Sequence, residues 1–113
     1  MPITPEFTAL IDRLLQEINQ TEQQATQGLN LVRELLSRFP NNAILTQYFA
    51  YFNTALLFIE TSRVQIQTTV ETVEPTDASD EIMQNAGERL GTLLGRVLEA
   101  KLRVGQLINR LDG

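Results

Sequence analysis

Apolar residues recur at steps of three and four along three segments of the chain, which is the period of an amphipathic α-helix. The repeat runs from Phe7 to Phe39, from Leu45 to Val73 and from Met83 to Leu111. Two breaks separate the segments: a turn at Pro40 followed by two asparagines, and a polar loop over residues 74–80. Since proline cannot continue a helix and asparagine caps one well, the pattern predicts helices over about residues 5–38, 42–73 and 80–111.

The lengths of these segments predict the architecture. A helix of about 33 residues is roughly 50 Å long, and short connections make consecutive helices antiparallel neighbours. The three-four spacing persists over four heptads, as in coiled coils. We therefore expect an all-α, antiparallel up-down-up bundle of three long helices, forming one domain over residues 1–113. Because glutamine and asparagine are abundant in the first helix, we expect it to be a solvated outer helix.

The third predicted helix has a nonpolar arc that is wider than a single core contact requires. On a wheel of about 100° per residue, a second arc lies beside its core positions. The members of this arc are Gly87, Gly91, Leu94, Gly95, Leu98, Leu102 and Gly105, and all of them except Leu94 are the contact residues we expect. Each glycine inside a helix destabilises it by about 1 kcal/mol relative to alanine. Three glycines at four-residue spacing therefore indicate that something approaches this backbone closely.

Three occupants of the glycine arc are compatible with the sequence. Large residues of the chain's own second helix could fill it, and that helix is rich in aromatic residues (Tyr48, Phe49, Tyr51, Phe52 and Phe58). A helix of a second chain or a small molecule could fill it instead. The second helix has a further apolar stripe of its own, Ala50, Leu57 and Val64, on a face with few charges. Weakly charged, semi-apolar outer faces are common at interfaces, so both stripes are candidate interaction surfaces.

Arg63 interrupts the apolar seam of the second helix at a position that the pattern predicts to be buried. Counting residues through the turn at Pro40 places it opposite Glu17 and Glu22, and counting through the later loop places it near Gly91. A buried arginine needs a partner because an isolated buried charge is very costly. We therefore expect a buried polar layer of Arg63 with Glu22 or Glu17, which fixes the register of the helices. An anion held by Arg63 is one alternative. A shifted register, in which the long side chain of Arg63 reaches the surface, is the other.

Four arginines repeat at intervals of seven on the third helix: Arg89, Arg96, Arg103 and Arg110. We call this set the basic stripe. Ion pairing with a neighbouring helix is the first interpretation, and docking of an acidic protein is the second. Nucleic acid is the least favoured, because the stripe itself has no aromatic residues to stack on bases and two glutamates lie close by.

Composition excludes several classes of function. The chain has no cysteine and no histidine, which removes thiolate chemistry, the commonest general base and the commonest metal ligand. We therefore expect no enzymatic activity, no cofactor and no metal site. The net charge of −5 argues against general binding to nucleic acid or anionic membranes. No secretory signal and no span of about 20 strongly apolar residues is present, so we expect a soluble, cytoplasmic protein.

These observations predict a non-enzymatic helical module for protein-protein interaction or assembly. A protein partner is expected, and a homodimer is the form favoured. The alternative from another class is a bundle that binds a small molecule or an anion at a polar site in its middle, with Arg63 as the ligand.

Overall fold

A computed structural model of the chain describes residues 4–75 and 78–112. It contains three α-helices: α1 (Pro5–Arg38), α2 (Ala43–Val73) and α3 (Asp80–Asp112). The helices pack against one another into a bundle about 58 Å long, and no strand occurs in the described part of the chain. The predicted all-α bundle of three long helices is therefore confirmed.

Side-chain caps define where each helix begins. The hydroxyl of Thr4 accepts a hydrogen bond from the backbone N–H of Phe7 at 3.2 Å, and Pro5 occupies the first helical turn. Asn42 caps α2 in the same way through Leu45 at 3.1 Å. The hydroxyl of Ser79 accepts from the N–H of Ile82 at 3.2 Å at the start of α3. Each cap satisfies a backbone donor that has no partner inside the helix.

The core consists of two clusters, one in each half of the bundle. The first joins the beginning of α1, the end of α2 and the first half of α3, with Ile18, Ile59 and Leu90 fully buried. The second joins the end of α1, the beginning of α2 and the end of α3, around Val32 and Phe52. This order of residues is the one expected of an up-down-up bundle.

The first helix is not the solvated outer helix that its glutamine and asparagine content predicts. α1 packs against both other helices more extensively than α2 and α3 pack against each other. Its buried face includes three small residues, Thr21, Ala25 and Gly28. The polar residues of α1 occupy the rest of its circumference, so composition was misleading about its place in the bundle.

The middle of the bundle is polar, but its buried groups are hydroxyls and not charges. Thr21 and Ser62 are almost fully buried. Each hydroxyl donates to a carbonyl one turn earlier on its own helix, Thr21 to Glu17 and Ser62 to Phe58, both at 2.7 Å. These hydroxyls need no partner from another helix. Since neither of these buried side chains is charged, no charge has to be neutralised in this layer.

Candidate functional site

The glycine face of α3 is open in the single chain. We define this face as Gly87, Gly91, Gly95 and Gly105 with Leu98 and Leu102. In residues 4–75 and 78–112, no atom beyond the local helical turn lies within 4 Å of a Cβ atom placed on any of these four glycines. The side chain of Leu102 on this face is 65% exposed. The aromatic residues of α2 therefore do not fill the glycine face.

The glycine face borders α1. Leu98, Leu102 and Gly105 line a groove of about 370 Å³ together with Gln24 of α1 and neighbouring polar residues of α3. The side-chain oxygen of Gln24 is buried and accepts no hydrogen bond from any described residue. A buried acceptor without a donor is destabilising, and this one belongs to a residue that lines the groove.

The second predicted stripe lies on a different surface. Leu57 and Val64 are 63% and 62% exposed, and Ala50 is exposed as well. They lie on the side of α2 opposite its buried residues Phe52 and Ile59, given about 100° of rotation per residue. The structure does not bring this stripe next to the glycine face, so the two do not form one continuous patch.

Arg63 contacts Glu22, but the pair lies at the surface. Two guanidinium nitrogens of Arg63 bind the two carboxylate oxygens of Glu22 at 2.9 and 2.8 Å, and one also binds Asn19 Oδ1 at 2.8 Å. The side chains remain 35% and 40% exposed, so the predicted burial of this layer is wrong. The long arginine side chain carries its charge out of the seam towards solvent. The hydrogen bond from Arg63 lowers the pKa of Glu22 below its usual value.

Glu17 contacts α3 and not Arg63, so Glu22 is the one of the two expected partners that Arg63 binds. Lys101 Nζ donates to Glu17 Oε1 and to Gln20 Oε1, both at 2.7 Å. This pair is less exposed than the first, at 30% for Lys101 and 15% for Glu17. Gly91 is exposed and nothing approaches it, so it does not take part in a layer with Arg63. Two separate bridges therefore join α1 to its neighbours.

The basic stripe flanks α2, on the side of α3 away from the glycine face. Its four arginines line three surface pockets along the junction of α2 and α3, which together we call the α2–α3 groove. The central part has a volume of about 410 Å³ and is lined by Tyr51, Phe58, Arg96 and Arg103 among others. Arg110 lines the groove near Ile44 and Tyr48, and Arg89 lines it near Gln65.

Aromatic rings of α2 lie beside these arginines. The guanidinium carbon of Arg96 is 5.3 Å from the centre of the Phe58 ring, within the range of a cation–π interaction. Burial raises the pKa of the Tyr51 hydroxyl, and the charge of Arg103 opposes part of that rise. The stripe itself has no aromatic residues, but the neighbouring helix supplies them, which the sequence pattern did not predict.

The first interpretation of the basic stripe, ion pairing with a neighbouring helix, is wrong for the described residues. The ion pairs found there involve Arg38, Arg63 and Lys101, and none involves the stripe. The part of α2 between Ala43 and Ile59 offers the stripe no carboxylate, because it contains no charged residue. The four arginines are exposed, so their charges remain available to a partner.

Sequence reasoning missed two positions. Gly28 received no attention because it is a lone glycine in a polar stretch, yet it faces the Phe52 ring. Lys101, the only lysine of the chain, was not recognised as the partner of Glu17. Its position seven residues before Ile108 and four after Val97, both buried, was the available signal that it lies at the edge of the core.

Residues 4–75 and 78–112 contain neither a cluster of metal-binding side chains nor a membrane-spanning helix. No group of three or more acidic, histidine or cysteine side chains is placed to hold a metal ion. None of the three helices is both long enough and apolar enough to cross a membrane.

Comparisons with protein-family models, with curated proteins and with solved structures give no match to this chain. The chemistry of its surfaces is therefore the only guide to what it does.

Proposed function

We propose that this protein is a non-enzymatic assembly module and that the glycine face of α3 binds the same face of a second copy. One observation carries the proposal. The glycines of this face meet nothing within 4 Å among the described residues, so no contact found there explains why they lack side chains.

The energetics of the helix support an external partner. Three glycines at four-residue spacing destabilise α3 by about 3 kcal/mol relative to alanine. Gly28 shows what an internal requirement looks like in this protein, since an aromatic ring fills its space. A second helix lying against Gly91 and Gly95 would use the missing side chains in a comparable way, with the backbones in close approach. The attested examples of such small-residue helix contacts come from membranes, so the extension to this helix is an analogy.

The surroundings of the glycines also favour a partner. Leu102 exposes most of its side chain beside them, and the oxygen of Gln24 lacks a donor in the adjoining groove. A contact with a second copy would cover the leucine. A two-fold axis makes the same patch serve both partners, which is the commonest symmetry of soluble oligomers.

Light scattering after size exclusion tests the proposal with two matched variants. Gly91→Leu adds a side chain on the glycine face, and Gln16→Leu adds the same side chain to an exposed position of α1. The wild type and Gln16→Leu are expected to have the mass of two copies, and Gly91→Leu that of one. A single-copy mass for the wild type at every concentration, with Gly91→Leu unchanged, would contradict the proposal.

The alternative of an anion ligand at Arg63 gains no support from the geometry. Glu22 and Asn19 already engage its guanidinium group. None of the grooves described above has Arg63 in its lining. An incoming anion would have to displace a bidentate carboxylate.

A further inference from the structure

The α2–α3 groove has two banks of different chemistry. One bank is the basic stripe, which forms no ion pair among the described residues. The other bank, on α2, is uncharged between Ala43 and Ile59 and presents Tyr51 and Phe58. The bank on α3 also carries Glu99 and Glu88, but neither forms an ion pair with the stripe among the described residues. Four arginines along an aromatic, uncharged wall thus outnumber the two carboxylates of the groove.

The length and repeat of the basic stripe are those of a helix-helix contact. From Arg89 to Arg110 the basic stripe extends over 21 residue steps, or roughly 32 Å at 1.5 Å per residue. Its arginines follow one another at intervals of seven, which is the repeat with which charges flank a helix-helix contact. α2 and α3 also pack against each other less extensively than either packs against α1. This groove is therefore where a fourth helix would complete the bundle.

We propose that the α2–α3 groove binds an acidic amphipathic helix of another protein. Apolar residues of that helix would pack on Tyr51 and Phe58, and carboxylates at seven-residue spacing would pair with the basic stripe. Bidentate arginine-carboxylate contacts favour such pairing. The inference concerns a surface separate from the glycine face and does not depend on self-association.

A second copy of this chain does not have the required chemistry. The acidic residues of α1 are Glu6, Asp12, Glu17, Glu22 and Glu34, and their spacing never repeats at seven. α2 has only Glu60 and Glu71. On α3, Glu81 and Glu88 are seven residues apart but Glu99 does not continue the repeat. Charge complementarity thus points to a different protein.

Binding of designed peptides tests the proposal. The probe is a labelled helical peptide of about three heptads, with leucine on one face and glutamate at the positions flanking that face. The control peptide has glutamine in place of each glutamate. Fluorescence anisotropy with the full chain is expected to show the acidic peptide binding at least about tenfold more tightly. The difference should shrink between about 50 mM and about 300 mM salt, because exposed charges are screened.

Charge-matched variants locate the binding site. Arg96→Gln/Arg103→Gln removes two charges from the groove, and Arg13→Gln/Arg38→Gln removes two from exposed positions of α1, so both have the same net charge. The groove variant is expected to weaken the acidic peptide about tenfold or more, and the α1 variant to leave its affinity unchanged. Thr54→Glu, which adds a carboxylate to the uncharged bank, is expected to weaken the acidic peptide but not the glutamine peptide.

Four results would overturn the proposal. They are equal affinity for the two peptides, absence of binding by either, equal loss in the two double variants, and tighter binding of a single-stranded oligonucleotide at the same groove. Loss of a two-copy mass in Arg96→Gln/Arg103→Gln would assign the groove to self-association and overturn it as well. Gly91→Leu is expected to bind the acidic peptide with unchanged affinity, which would show that the test does not depend on the glycine face.

Discussion

The ring of Phe52 occupies the space that a side chain on Gly28 would need. A Cβ atom on Gly28 would lie 2.5 Å from Cζ and 2.6 Å from Cε1 of that ring, and Phe52 is completely buried. The glycines of α3 have no such neighbour. Substitution by alanine is therefore expected to change the free energy of unfolding in opposite directions at Gly28 and at the glycines of α3.

Gly28→Ala is expected to lower the free energy of unfolding by about 1 to 2 kcal/mol, because overpacking against Phe52 outweighs the gain in helix propensity. Gly95→Ala is expected to raise it by up to about 1 kcal/mol at concentrations where the chain is monomeric. Chemical denaturation measures both. Phe52→Leu removes part of the ring, so Gly28→Ala should do less damage in that background; additive effects would show that the ring is not the obstacle.

The Arg63–Glu22 pair predicts a pH dependence of stability. The pKa of Glu22 is lowered in the folded protein, so its contribution is present above the unfolded pKa and is lost as the pH falls through the folded pKa. Because both side chains are more than a third exposed, we expect no more than about 1 kcal/mol. Glu22→Gln should lose less stability than the wild type between neutral pH and about pH 3.

The control for this pH dependence is Glu34→Gln, which removes a more exposed carboxylate paired within one helix to Arg38. It should follow the wild-type curve closely. If Glu22→Gln follows that curve as well, the pair between α1 and α2 contributes nothing measurable to the pH dependence.

The Lys101–Glu17 pair is expected to couple more strongly than the Arg63 pair, since Glu17 is only 15% exposed. Lys101→Met should destabilise the protein by about 1 to 3 kcal/mol, because a mostly covered carboxylate is left without its donor. The double variant Glu17→Gln/Lys101→Met should recover part of this loss. A double-mutant cycle with no coupling would show that the two groups act independently.

The Tyr51 hydroxyl is expected to titrate above the usual tyrosine range, because burial raises its pKa and the charge of Arg103 lowers it by less. Arg103→Gln should therefore raise the pKa of Tyr51 further. NMR titration of the tyrosine ring carbons, with Tyr51→Phe to assign the signal, measures the change. A lower pKa in Arg103→Gln would contradict this position of the arginine beside the ring.

Periodicity predicted the helices well because apolar spacing and capping residues act locally. The three-four repeat and the residues Thr4 and Asn42 suffice to locate helix starts. The burial of a side chain is harder to predict. The seam position of Arg63 correctly predicts that it faces α1, but its long side chain reaches solvent. Heptad position gives the direction of a side chain and not how far its charge lies from water.

The neighbours of each face could not be predicted from the sequence. Three helices can be arranged in two mirror-related ways, and the choice decides whether the basic stripe borders α1 or α2. In the observed arrangement Arg96 meets Phe58 and the glycine face borders α1. The role of Gly28 could be predicted only from the position of Phe52, since one glycine in a polar stretch forms no pattern.

The central claim is that a second copy covers the glycine face of α3. Isotope-filtered NMR on an equal mixture of labelled and unlabelled chains tests it most directly. The proposal predicts intermolecular contacts from the α-protons of Gly91 and Gly95 to a helix of the other copy. A two-copy sample with intermolecular contacts only elsewhere, or a sample with the mass of one copy and none at all, would contradict it.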